Sequence, residues 1–388
     1  MRVLAEYLAE LVKAQLENRK PGLLPKEIDI DELVRLSHKN QINYLVLGGL
    51  LKVDNVSEEE KKKIKPYVLQ SVLRTGHQVS EIKRLEKTFE EKGIKCQPMK
   101  GSRMKFMYPS PEMREMGDID ILVQAECMSD AEKCVQELGY TLEQSIKHHD
   151  IYKKKPYIVL EMHRAMYDKT VNKTQYEYFS DMSRAVLREG KSYIYDFTNE
   201  DFYVYMMAHM AKHFYVMGCG VRNLVDVYIF NKKFADSMDG KYVKEQLKIC
   251  GIATFTEHME KLANIWLGGE KSDKFYDDLF MYMLDSGIYG KDENGIWNRF
   301  AEEKMKDKDA TKSHLKIWYI FPPLSYMAEY YPYLEDYPFL LPVTWVIRGV
   351  GGVLGKRGVN KRKMLKTIDE DQIKTYKTIY QRMDMHFK

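Results

Sequence analysis

At 388 residues the chain exceeds one typical domain and has length enough for two or three with a sizeable buried core. A formal charge of +4 on 61 basic and 57 acidic residues gives no general argument for nucleic-acid binding, and 44% apolar against 30% charged residues is ordinary for a soluble protein. Five cysteines (Cys96, Cys127, Cys134, Cys219, Cys250) with no CxxC spacing argue against a disulfide framework and a zinc ribbon, and fit a reducing cytoplasm.

Residues 1–92 read as helical. Leu4, Leu8, Leu11 and Val12 recur at helical spacing, and acids among the first apolar residues indicate an amphipathic helix, not a signal peptide. Asp31 opens a second helix running toward Tyr44 to Leu51, and a long one spans Glu58 to Lys92, with Lys61, Lys62 and Lys63 on a solvated face. Gly93 ends it.

Lys95 to Lys100 then reads as a strand running into Gly101-Ser102, and a short helical piece from Arg103 stops at Pro109. Gly101 allows close backbone approach to a ligand and Ser102 can cap the helix, whose orphan N–H groups suit an anion such as phosphate. In Asp118-Ile-Asp-Ile-Leu-Val123 the two-residue strand period sends both carboxylates out of one face while Ile119 and Ile121 enter a core. Two acids on one face repel unless a cation lies between them, and hard oxygen ligands suit Mg²⁺ or Mn²⁺. On that basis Asp120→Asn is expected to leave the melting temperature unchanged or raise it.

Ser129 or Asp130 can cap a helix ending at Gly139, followed by strands at Tyr140 to Gln144 and His149 to Lys153. After a turn at Lys154-Lys155-Pro156, the strand Tyr157 to His163 places Tyr157, Val159, Glu161 and His163 on one face and Ile158, Leu160 and Met162 on the other. This order implies a mixed sheet with helices on one face and the acidic face open to a partner domain.

From Thr198, a good cap, the chain turns helical. The first helix, through about Val216, carries His209 and His213 on one face; Met-Ala-Lys between them supplies no glutamate base, and no third ligand is evident. The next, from Val221, puts Arg222 and Asp226 four apart, where the bland reading is an internal ion pair. Further helices are expected near Lys241 to Cys250, Ala253 to Trp266 and Ser272 to Leu284, then a charged loop over 287–313. The aromatics from Ile317 to Tyr337 suggest core or a domain seam. Pro338 to Gly355, with Pro342, Arg348 and four glycines, is a poor membrane span. Lys356, Arg357, Lys361, Arg362, Lys363 and Lys366 read as a solvated loop; RNA-terminal transfer would rest on that run alone.

Met99-Lys-Gly-Ser102, Met113-Arg-Glu-Met-Gly-Asp-Ile-Asp-Ile-Leu-Val123 and Leu160-Glu-Met-His-Arg164 together resemble the core of the polymerase-beta-like nucleotidyltransferases, and within them a bacterial branch called an uncharacterised nucleotidyltransferase family. The resemblance implies an α+β fold: a nucleotidyltransferase core at 93–196, a mixed sheet with helices on one face, flanked by helical regions at 1–92 and 197–388. It implies transfer of an NMP from an NTP such as ATP to a small-molecule or protein acceptor by a two-metal mechanism. Asp118 and Asp120 would bridge two Mg²⁺ or Mn²⁺ ions, and Glu161, glutamate where many relatives carry aspartate, would complete the second site or take the acceptor proton. Gly101 and Ser102 would hold the β- and γ-phosphates, with Lys100, Lys105, Arg114 and Arg222 neutralising triphosphate and pyrophosphate. His163, His209, His213 and Asp226 would line the substrate cleft. The alternative is a degenerate nucleotide-binding or regulatory, antitoxin-like module; the presence of all three acids favours the enzyme.

Overall fold

The computed structural model of the chain describes residues 2–146, 148–167, 173–180, 182–291, 294, 317–318, 320–331, 333–354 and 370–385. The basic run at 356–366 and most of the expected loop at 287–313 lie outside them.

Four helices come first: α1 (Arg2–Leu16), α2 (Ile30–Asn40), α3 (Asn43–Leu50) and α4 (Glu58–Glu91). The expected second helix is two, because Gln41 takes a left-handed conformation at φ 50° and ends α2. Helix α4 starts at a capping box in which Ser57 and Glu60 satisfy each other's backbone N–H, and Gly93 follows it at φ 71°.

Five strands form a mixed sheet in the order β1 (Cys96–Pro98), β2 (Ile119–Val123), β5 (Ile158–His163), β4 (His149–Lys154), β3 (Thr141–Ile146). Only the β2–β5 pair is parallel. Helix α5 (Lys100–Met104) joins β1 to β2, and α6 (Met128–Glu137) joins β2 to β3. Ile119, Ile121, Leu160 and Met162 fill one sheet face against Ile82, Leu85 and Phe89 of α4 and Ala131 and Val135 of α6. The opposite face carries the acids, as strand alternation requires. A short helix α7 (Lys173–Tyr178) and a hairpin of β6 (Ala185–Leu187) and β7 (Tyr195–Phe197) follow, the hairpin too short to leave a sequence signal.

Thr198 accepts from the Asp201 N–H to start α8 (Asn199–Met217), and α9 (Arg222–Phe234), α10 (Gly240–Ile249), α11 (Ala253–Gly268) and α12 (Lys274–Ser286) succeed it. These helices do not form a core of their own. Phe214, Phe230, Phe255 and Leu262 share one apolar cluster with Leu8, Leu11 and Val12 of α1, Leu45 to Leu50 of α3, and Leu122 on the acidic face of the sheet. Trp318, Tyr326, Met327 and Leu334 make a small cluster apart. Among the described residues no helix is long and apolar enough to cross a membrane.

Candidate active site

The site begins at the β1–α5 turn. The Met99 N–H donates to the Asp120 carbonyl (3.0 Å) and the Asp120 N–H donates to Ser102 Oγ (3.0 Å), so the turn is fastened to the backbone of Asp120 on both sides. This fastening starts the helix at Lys100, with Met99 as its N-cap, which corrects the expectation that Ser102 caps a helix from Arg103. The Ser102 hydroxyl, 1% exposed, is occupied as an acceptor by the strand. Gly101 is explained by packing: a Cβ there would meet Arg114 Nη1 at 2.6 Å and Met116 Sδ at 3.0 Å.

Asp120 and Glu161 are register partners across the parallel β2–β5 pair, and Asp118 stands in the bend just ahead of β2, near enough for Asp120 and Glu161 to repel it. Lys100, at φ 45°, reaches Asp120 Oδ1 with its Nζ at 2.6 Å and stands 4.0 Å from Glu161 Oε2. His163 Nε2 lies 2.9 Å from the same Asp120 oxygen and 3.4 Å from Glu161 Oε2. His149, the register partner of His163 on β4, is 3.9 Å from Glu161 Oε2. Among the described residues, Asp120, Glu161 and His163 form a group whose ligand-type atoms all lie within 4.8 Å of one another.

Burial alone would raise the Asp120 carboxyl; the Lys100 ammonium and the His163 hydrogen bond outweigh it and hold the group well below the usual carboxylate range. Glu161 is lowered in the same way, against its own burial, by His163 and Lys100. Asp118 behaves oppositely: burial, then repulsion from Asp120, pushes it up to about 6. Among the described residues no hydrogen bond or ion pair reaches the Asp118 carboxylate. Two acids sharing one lysine and one imidazole, with a third acid unpaired nearby, are a donor set that fits a divalent ion of the Mg²⁺ or Mn²⁺ kind.

His209 and His213 of α8 approach this pocket from the helical side, their Nε2 atoms 3.1 Å apart. Burial keeps both neutral, His213 down to about 3, helped by Lys100 for each, by Lys212 for His213, and by the cost of protonating two adjacent imidazoles for His209. Tyr205, one turn earlier on the same helix, is 1% exposed and donates its hydroxyl to Met99 Sδ at 3.7 Å. Neither His149 nor Tyr205 stood out in the sequence; their signals were the β4 register and the i, i+4 spacing to His209.

Three expected phosphate ligands are committed elsewhere. Lys105 is fully buried against α4, within 3.4 Å of Thr75 Oγ1 and 3.3 Å of Gln78 Oε1. Arg114 forms a buried two-point pair with Asp226, Nε to Oδ1 at 3.0 Å and Nη2 to Oδ2 at 2.9 Å, and Tyr108 donates to the same carboxylate. Asp226 therefore pairs with Arg114 and not with its helical neighbour Arg222. Arg222 donates to Gln41 and to the Glu115 carbonyl. The segment from Lys105 to Glu115 lies against α4 and α9, which supply the partners of these side chains.

The fold is α+β, a mixed five-strand sheet packed among helices, with acids in register on two adjoining parallel strands. The chain belongs to the family of uncharacterised nucleotidyltransferases, whose sequence model matches residues 26–268 and so takes in the helices on both sides of the sheet. No curated protein matches. Two solved structures of the antibiotic-resistance factor ANT(2'')-Ia are similar: a solution structure (12% identity, 50% of this chain and 91% of that one, TM-score 0.26) and a crystal structure in complex with adenylyl-2''-tobramycin (13% identity, 50% and 98%, TM-score 0.24).

Proposed function

We propose that this nucleotidyltransferase moves a nucleoside monophosphate from an NTP to an oxygen or nitrogen of a small-molecule or protein acceptor, assisted by Mg²⁺ or Mn²⁺. The observation that carries the reading is the register pairing of Asp120 with Glu161 across β2–β5, with His163 between them and Asp118 close by just ahead of the strand. A divalent ion, when bound, neutralises triphosphate charge and lowers the pKa of a ligated acceptor. Asp118 and Asp120 would hold it. Glu161 would take the acceptor proton as the acceptor–phosphorus bond forms and the bond to pyrophosphate breaks, a role that requires only hydrogen-bond reach. His163, between Asp120 and Glu161, orients both carboxylates. His209 and His213, held neutral, offer the acceptor hydrogen bonds without adding charge.

Calorimetry with several NTPs, with and without Mg²⁺, followed by mass analysis of candidate acceptors for an added nucleotide, tests the reading. Turnover is expected only with the divalent ion, and Asp118→Asn and Glu161→Gln should each lower it by about 100-fold or more. Wild-type turnover surviving both changes would remove the assignment. The Lys100 ammonium lodged between two of the acids favours one competing reading, a module that binds nucleotide without chemistry. Tight NTP binding with no pyrophosphate release and no modified acceptor would select it.

A further inference from the structure

We propose that Lys100 is one of the two cations of this site, so that the chain uses a single divalent ion where the sequence pattern implies two. This rests on the nucleotidyl-transfer reading above and sharpens it. Lys100 reaches the acids from the β1–α5 turn. Here its position is built in. The backbone of Asp120 is fastened to the turn through both its N–H and its carbonyl, so ammonium and carboxylate are held in register from their main chains outward. Lys100 adopts a left-handed φ of 45°, a conformation non-glycine residues rarely take and one that persists only where the surroundings enforce it. The strained residue is the one aimed at the acids.

The distribution of partners points the same way. Lys100 and His163 both sit on Oδ1 of Asp120, and Lys100 also faces Glu161 Oε2. On that side of the site the cation position is filled, and a divalent ion added there would stand against a like charge. Among the described residues no hydrogen bond reaches Oδ2 of Asp120 or the carboxylate of Asp118. Those oxygens, two residues apart at the start of β2, are left for one ion. The three carboxylates with Lys100 leave a net charge of −2, which one divalent cation cancels.

Native mass spectrometry of the full chain with Mn²⁺ and a non-hydrolysable NTP counts the ions in each nucleotide complex. Wild type and Lys100→Arg are expected to carry one Mn²⁺ per bound nucleotide, and Lys100→Ala two, with its fold checked by circular dichroism. Two ions in the wild type overturn the proposal and leave nucleotidyl transfer standing, and that count decides even if Lys100→Ala fails to fold. One ion in a folded Lys100→Ala also overturns it, since no second seat has opened. A wild type that takes up neither Mn²⁺ nor nucleotide overturns the proposal together with the reading on which it rests.

Discussion

Asp118 and Asp120 are two residues apart at the start of β2, yet their surroundings push them in opposite directions. A carboxyl raised from 3.8 to about 6 binds its proton more tightly in the folded than in the unfolded chain. Its share of stability is therefore present at acid pH and lost as pH rises from about 4 to 6. In the absence of divalent ions Asp118→Asn should stabilise the protein by about 1–2 kcal/mol at pH 7.5 and by almost nothing at pH 4, read from paired thermal melts in EDTA. Asp120 has the opposite sign. Its lowered carboxyl stabilises the fold at neutral pH, and Asp120→Asn would strand the Lys100 ammonium, at a cost of about 3–5 kcal/mol. That reverses the expectation from acid–acid repulsion alone, because Lys100 turns the repelling group into a paired one. Lys105 gives a second pH test. Burial, then Arg114 and Arg222, pushes its ammonium down to about 7, so its cost to stability is full below pH 7 and fades as pH rises toward 10.5. Lys105→Met is expected to raise the melting temperature, most at pH 6 and least near pH 10.

At the scale of elements, the Arg114–Asp226 pair ties the segment before β2 to helix α9, with the two side chains 7% and 5% exposed. Removing either partner leaves a buried charge alone, so Arg114→Ala and Asp226→Ala should each cost about 3–5 kcal/mol in denaturant melts. The double variant should cost clearly less than the sum of the two. Arg114→Lys should not restore stability, since an ammonium cannot make both bonds at once. Gly101 depends on this pair. With Arg114 Nη1 at 2.6 Å from a Cβ position, Gly101→Ala must displace the guanidinium, and a loss of about 1–3 kcal/mol is expected, together with weaker Mg²⁺ binding as α5 shifts.

For the whole molecule, the shared core of early and late helices has a mechanical consequence. Trp266 Nε1 donates to the Ala5 carbonyl at 3.1 Å, and the Asn40 side chain donates to the Leu284 carbonyl and accepts from the Val221 N–H. The acidic face of the sheet is roofed by this combined unit, through Leu122 and Tyr205. Residues 93–196, proposed from sequence as the catalytic core, are therefore expected not to fold cooperatively when expressed alone. Near-ultraviolet circular dichroism and a thermal melt of that fragment check this; a sharp transition would show that the sheet is self-sufficient.

The sequence by itself determined what local periodicity controls. Strand alternation placed Asp120, Glu161 and His163 together, and caps such as Ser57 and Thr198 marked where helices begin. Only the tertiary structure decided which charges meet. Arg114 and Asp226 are 112 residues apart, Lys100 and Asp120 are 20 apart, and Lys105 is buried by a helix that ends before the sheet starts. Side-chain type and spacing say that a cation is available; its partner depends on which surfaces pack together, a property of the folded chain that no short window of residues encodes.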